Sequence, residues 1–137
     1  MSFVTAIASL RTAIEATGLT DTGGDSDSTL LNSSRANFDG AYLIRVETGA
    51  GLYRELKLDP EAFSVTISLE IGTTHKTSET FATSQARAAL RSQLAVEALI
   101  SANHTDVINI TRTGTATVQV VDRKQVTTQQ FVLIYRE

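Results

Sequence analysis

The sequence lacks cysteine and tryptophan altogether and has a single proline among its 137 residues. The absence of cysteine excludes disulfide bonds and thiolate chemistry. No apolar run approaches the length that a membrane-spanning helix requires. The opening segment, residues 1–5, lacks the basic start and apolar block of a signal peptide. We therefore predict a protein that does not contact a membrane.

An excess of positive charge is also missing. Twelve Lys and Arg residues against 15 Asp and Glu residues give a net charge of -3, and the pI is about 5.4. Proteins that bind DNA without sequence preference carry a basic surface, because neutralising phosphates supplies most of their affinity. With 42% hydrophobic and 20% charged residues, the composition is that of a globular protein. We predict a single domain over residues 1–137 that can bury a core without disulfides or metals.

The N-terminal part reads as a helix followed by a long polar connection. Over residues 2–17, one apolar stripe recurs at spacings of four, three and four, which is the helical period: Phe3, Ile7, Leu10 and Ile14. Residues 19–39 form a connection that is unusually long for a compact domain. We expect three side chains to anchor it: Leu30, Leu31 and Phe38.

Residues 40–71 read as an extended β-ribbon. In the first strand, 40–48, Tyr42, Ile44 and Val46 face one way, while residues 43, 45 and 47 face the other. A turn at 48–51 leads to residues 52–58, which extend the ribbon or form its distal arm. The strand 62–71 alternates apolar and polar residues and predicts one buried face and one wet face. Residues 72–76 read as a loop.

The C-terminal half reads as a second helix and two strands. The alanine-rich helix spans about 78–102, and a strand starts at residue 107 with a bulge or bend at Gly114. A turn at 122–124 leads to a last strand, 127–136, whose apolar end at 131–135 predicts a central position in the sheet. The expected class is α+β, in the order α-β-β-α-β-β. We expect a mostly antiparallel or mixed sheet, packed against two helices, with an extended β-hairpin arm.

Two short motifs resemble ligand sites without meeting their requirements. Asp21, Asp25 and Asp27 could chelate a hard cation, but their spacing fits no calcium loop and no closing glutamate follows. The segment Gly49-Ala50-Gly51 looks like a phosphate-binding turn, yet the residues after it read as strand rather than as the helix N-terminus that such a turn needs. We predict neither a metal site nor a cofactor.

Catalytic residues are equally hard to find. The two histidines, His75 and His104, lie near opposite ends of the second helix, which would hold them about 40 Å apart at 1.5 Å per residue. No Gly-x-Ser-x-Gly motif occurs, and no nucleophile has a base beside it. We therefore predict that the chain is not an enzyme.

Charged residues along the ribbon and the second helix are the best candidates for subunit contacts. Positive and negative charges interleave on the ribbon, which is typical either of a solvated arm or of an edge that meets a neighbouring subunit. On the second helix, two arginines four residues apart could pair with a neighbour's carboxylates or stay solvated. The interface hypothesis rests on seven residues: Arg45, Glu47, Arg54, Glu55, Lys57, Arg87 and Arg91.

The order of elements resembles the tail terminator (tail completion) proteins of long-tailed bacteriophages. The resemblance is carried by the stripe Phe3–Ile14, the alternating strand Phe63–Ile71, the alanine-rich helix and the ending Phe131–Tyr135. The loop at 19–39 departs from that pattern. A tail-tube protein would be mostly β-structure with a single main helix, so the two predicted helices count against that relative.

What the resemblance implies is a structural role in the virion. As a family, these proteins form hexameric rings that cap the tail tube and join it to the head. The resemblance thus implies a homo-oligomeric ring, assembled in the host cytoplasm and located in the tail or neck. Its partners would be other neck and tail-tube proteins, and DNA would pass through the lumen without specific binding.

One alternative from another class remains open. The chain could be a small-molecule-binding α+β module, with a deep apolar pocket between helix 78–102 and the sheet. The ring instead predicts a packed core, with a large apolar or charged surface near 42–70. It also predicts that residues 40–71 reach beyond what one subunit can cover.

Overall fold

The computed structural model describes residues 2–21, 30, 38–47, 51–52, 62–101 and 103–136. The fold is α+β, and the predicted order of elements is confirmed, with two short strands added. The elements are α1 (Ser2–Glu15), β1 (Thr20–Asp21), β2 (Ala41–Val46), β3 (Gly51–Leu52), β4 (Ala62–Thr74), α2 (Phe81–Ser101), β5 (Val107–Val121) and β6 (Lys124–Arg136).

The strands form one mixed sheet in the order β1-β2-β4-β6-β5, with β3 also paired to β4. All pairs are antiparallel except β1 with β2. β4 and β6 pair over their whole lengths, from Ala62 opposite Arg136 to Thr74 opposite Lys124. The interior position predicted for the last strand is therefore confirmed, and β5 lies at the edge of the sheet.

Both helices pack on one face of the sheet. On α1, Leu10 and Ile14 are fully buried, and Phe3 and Ile7 pack half-buried against the same cluster, as the stripe predicts. Burying a side chain of this size contributes about 1.5–3 kcal/mol, so the core supplies most of the drive to fold. The buried cluster under the helices comprises Ala6, Leu10, Ile14, Leu19, Tyr42, Ile44, Val65, Ile67, Leu69, Ile71, Ala95, Val96, Leu99, Phe131, Leu133 and Tyr135.

A smaller core lies on the opposite face of the sheet. It contains Leu30, Phe38, Ala41, Leu43 and Val126. Leu30 and Phe38 were predicted as anchors of the long connection and are buried; Leu31 lies outside the described residues. The chain approaches β4 so closely here that a Cβ at Gly72 would lie 2.6 Å from the backbone oxygen of Phe38.

Three predicted boundaries were wrong for local physical reasons. β4 continues through Thr74, rather than ending in a loop at residue 72, because its last residues pair with the start of β6. β6 therefore begins at Lys124 instead of 127, directly after the two-residue turn Asp122–Arg123. α2 begins at Phe81 rather than near 78, because the hydroxyl of Thr80 accepts the Thr83 N–H at 3.2 Å and caps the helix.

The described parts of the predicted ribbon are neighbouring strands within the sheet. β2 pairs with β4 from Tyr42 opposite Ile71 to Val46 opposite Ile67, and the alternation predicted for both strands is confirmed by the two cores. The wet face predicted for β4 was wrong in part, because Ser68 and Glu70 are buried. Most of the predicted distal arm, residues 53–58, lies outside the described residues.

Candidate assembly edge, groove and charged clusters

Asp39 is the centre of a charged cluster between β4 and α2. Its carboxylate accepts hydrogen bonds from the backbone N–H of Thr74 at 2.9 Å, from Arg87 at 2.9 Å and from Arg91 at 2.6 Å. Partial burial raises the pKa of Asp39, but the hydrogen bonds from Arg91, Thr74 and Arg87 outweigh it and hold the pKa well below its usual range. The cluster ties the turn before β2 to the second helix.

Both arginines of α2 pair with carboxylates of their own chain. Arg87 also donates to Glu79 at 2.8 Å and to the Thr74 carbonyl at 2.6 Å. Burial lowers the pKa of Arg87, but the hydrogen bonds to Glu79 and Asp39 outweigh it and raise the pKa above its usual value. A role for Arg87 and Arg91 in contact with a neighbouring subunit stays a prediction.

A second cluster joins β2 to β4 on the face away from the helices. Glu47 accepts a hydrogen bond from the Ser68 hydroxyl at 2.6 Å and pairs with Arg45 at 2.7 Å, and these two contacts lower its pKa. Glu70 is buried, accepts the Leu30 N–H at 3.1 Å and lies 3.3 Å from Arg45. The pairing of Arg45 and Glu47 within one chain leaves their interface role a prediction. The other predicted interface residues, Arg54, Glu55 and Lys57, lie outside the described residues.

The two histidines have separate structural partners. His75 is buried, with Nε2 2.7 Å from Oε1 of Gln125 and its ring edge-on to Phe81 at 5.0 Å. Nε2 of His104 lies 2.8 Å from the carbonyl oxygen of Leu99, where it satisfies the end of α2. Neither histidine has a nucleophile among the hydrogen bonds of the described residues.

A buried polar group near α1 also has a structural setting. The Tyr42 side chain is fully buried, and burial, together with the nearby carboxylates of Asp21 and Glu15, raises its pKa to about 12. Arg11 pairs with Asp21 at 2.6 Å. Of the other residues weighed as cation or phosphate ligands, Asp25, Asp27, Gly49 and Ala50 lie outside the described residues.

The outer edge of β5 is open along the described sheet. β6 is its only strand neighbour there, and the residues from Gly114 to Val121 are all exposed, including Val118 at 55%, Val120 at 40% and Val121 at 47%. The stretch from Thr113 to Val121 contains neither a charge nor a proline. The bulge predicted at Gly114 is confirmed: the register shifts between Thr113 and Thr117, and Gly114 has φ +68°.

The turn between β5 and β6 determines which backbone groups of β5 point outward. Asp122 and Arg123 have φ of 49° and 66°, which is typical of a two-residue type I′ turn closed by a hydrogen-bonded pair. That pair is Val121 with Lys124. Because hydrogen-bonded and open pairs alternate in antiparallel strands, Val120 and Val118 direct their N–H and C=O groups away from β6.

A groove of about 640 Å³ separates α2 from the far half of the β5–β6 hairpin. Three residues of β6 form its floor: Gln125, Thr127 and Gln129. Apolar atoms of Ala89 and Val96 on α2, and of Ala116 and Val118 on β5, line its sides. The groove lies where a pocket was expected, between the second helix and the sheet, but its floor is polar.

Other kinds of site are missing from the described ranges. Within them, no group of three or more histidine or acidic residues is placed to hold a metal ion. None of the helices described above is long and apolar enough to cross a membrane. Comparison with protein-family models and with curated proteins finds no match for this chain.

Proposed function

We propose that the chain is a structural subunit that assembles into a ring in the neck or tail of a bacteriophage. The ring would act as the tail terminator, which caps the tail tube and joins it to the head. The observation that carries this proposal is the open edge of β5, which is uncharged from Thr113 to Val121 and exposed over most of that length. Two helices on one sheet also fit a terminator better than a tail-tube protein.

An edge strand of this kind can pair with a strand of another chain. An edge strand presents unpaired N–H and C=O groups, and proteins that stay monomeric commonly blunt such edges with lysine, proline or inward-pointing charges. β5 has none of these between its bulge and its turn. The main-chain groups of Val118 and Val120 can instead bond a strand of a second copy, as in other cases of strand addition.

A closed ring needs two different surfaces that meet around the axis. The opposite edge of the sheet offers the second surface, because among the described residues β1 pairs only with Ala41 and Tyr42 of β2. Arg45 and Glu47 lie at the end of β2 on that side of the sheet, and we propose that they contribute to this second surface. The negative net charge of the chain suits a ring whose lumen lets DNA pass without holding it.

Mass photometry of the wild type and of edge variants tests the proposal. Val120→Pro removes an outward N–H without removing a bond to β6, so the ring should fall apart into monomers. Val120→Ala keeps the N–H and should still assemble. If the proline variant proves unfolded by circular dichroism, Val120→Lys provides the same test through a charge on the edge.

Two results would contradict the ring. One is a wild-type chain that stays monomeric at every concentration reached. The other is a folded proline or lysine variant that assembles as well as the wild type.

A second candidate function is favoured by the groove. Its volume of about 640 Å³ lies within the range of small-molecule sites, roughly 300–1,000 Å³, and it combines apolar walls with a few polar groups. The chain would then be a ligand-binding module. That function predicts a stable monomer with a thermal midpoint that rises when a small molecule binds.

A further inference from the structure

We infer that the groove between α2 and the β5–β6 hairpin binds an extended, uncharged segment of another polypeptide. The floor residues Gln125, Thr127 and Gln129 would bond the backbone of that segment. This site uses side chains on the helix-facing side of the hairpin, whereas the proposed ring uses the outward main-chain groups of β5, so the site does not depend on ring assembly.

The groove floor is the first observation that points to a ligand. Gln125, Thr127 and Gln129 occupy the same face of β6 as Phe131 and Leu133, which belong to the core. They are nevertheless only 3%, 7% and 4% exposed. A polar side chain in a core row is costly unless its polar atoms find partners or water, so a row of three at one place needs a physical reason.

Each floor residue keeps a polar atom unused within the described part of the chain. Gln125 engages His75 through Oε1, which leaves its amide N–H groups, and the hydroxyl of Thr127 has no partner there. Gln129 donates through Nε2 to the carbonyls of Thr113 at 2.9 Å and of Gln130 at 3.1 Å, which leaves its Oε1. All three residues line the groove. The floor thus offers a donor, a hydroxyl and an acceptor in a row.

The spacing of this row matches an extended peptide. Residues two apart on a strand lie about 6.6–6.8 Å apart, and an extended peptide repeats its backbone groups on one side at the same interval. A peptide that lies along β6 can therefore bond Gln125, Thr127 and Gln129 in turn. A compact small molecule has no such repeat to match.

The side walls of the groove indicate which side chains and which charge the bound segment should have. Ala89 and Ala116 leave room beside the floor, and Val96 and Val118 offer apolar contact, so small apolar side chains fit best. The two charged residues that line the groove, Glu97 and Arg112, have opposite signs and balance each other. Entering the groove therefore costs an uncharged segment the least free energy, because it has no charge to be desolvated.

The test uses a displayed library of random heptapeptides, selected on the immobilised full-length chain. We expect selection of uncharged sequences that alternate small apolar residues. Synthetic copies should shift the side-chain amide NMR signals of Gln125 and Gln129. Thr127→Val removes the floor hydroxyl with little change of shape and should weaken binding about three- to tenfold, the value of one net hydrogen bond.

Matched controls separate this site from the ring interface. Thr128 lies next to Thr127 on the opposite face of β6, so Thr128→Val should bind the peptides as the wild type does. Val120→Pro should lose assembly but keep peptide binding, if it folds. The inference is overturned if the library yields no binder, if Thr127→Val and Thr128→Val bind equally, or if the shifts map to the outer edge of β5. A small molecule that fills the groove while no peptide binds overturns it as well.

Discussion

Asn in place of Asp39 would remove the negative charge at the centre of the cluster between β4 and α2 while keeping the shape of the side chain. Asp39 accepts three hydrogen bonds of 2.6 to 2.9 Å, two of them from arginines. A hydrogen bond to a charged group contributes about 1.5–3 kcal/mol in a shielded site, and an exposed ion pair about 0–1 kcal/mol. Because 33% of the Asp39 side chain is exposed to solvent, we expect the free energy of unfolding to fall by about 1–2 kcal/mol at pH 7.

The pH dependence of this stability loss shows that the charge of Asp39 is its cause. The pKa of Asp39 is held well below its usual value in the folded chain, whereas the unfolded chain takes up the proton near pH 3.9. The carboxylate therefore contributes fully above about pH 5, and its contribution falls as the pH drops through the unfolded and then the folded pKa. Urea unfolding at pH 7, 5 and 3, at one fixed protein concentration, should show Asp39→Asn approaching the wild type as the pH falls. A stability gap that stays constant from pH 7 to 3 would refute this reasoning.

Two further predictions concern the elements that position the groove and the cluster. Gly72→Ala should destabilise the chain by about 1–3 kcal/mol, because the new Cβ meets the backbone oxygen of Phe38 at 2.6 Å and must displace it; an unchanged thermal midpoint would show that the contact relaxes freely. Thr80→Ala should cost about 1 kcal/mol by removing the cap of α2. The exposed Thr77, just before the cap, provides the control: Thr77→Ala should change stability by less than about 0.5 kcal/mol, and equal losses in both variants would contradict the capping role.

Periodicity predicted the elements because most of the core follows it. The stripe from Phe3 to Ile14 and the alternation of β4 each pack a row of apolar side chains against the core, and such rows can be recognised without knowing what covers them. The ends of the strands were harder to predict, because they depend on the neighbouring strands. β4 reaches Thr74 because it pairs with β6 along its whole length, and no local pattern in residues 72–74 predicts that pairing.

The charged clusters could not be predicted from the sequence, because their members are far apart in the chain. Asp39 meets Arg91 from 52 residues away, and Glu70 accepts an N–H from Leu30. Glu70 sits at a polar position of an alternating strand, so it was assigned to the wet face. Only the second, smaller core reveals that Leu30 and Phe38 cover that face.

The groove floor did carry a signal in the sequence. Counting back by twos from Phe131 places Gln129, Thr127 and Gln125 on the helix-facing side of β6, in line with the core residues Phe131 and Leu133. Polar residues that continue an apolar row mark the end of the hydrophobic core along that strand. Gln125 was missed because the last strand was expected to start only at residue 127.

β5 shows the reverse mismatch between pattern and burial. Val118 and Val120 alternate with Thr117 and Gln119, as in a strand that covers one face of a core, yet both valines are largely exposed. Val118 and Val120 thus leave apolar surface exposed on the hairpin, which a neighbouring subunit would cover in the proposed ring. The side chains of Val118 and Val120 share the face of the hairpin that carries Thr127 and Gln125, whereas their main-chain groups point away from β6. If the valines serve a neighbour and the glutamines a peptide, Val120→Pro and Thr127→Val should each abolish or weaken one kind of binding and spare the other.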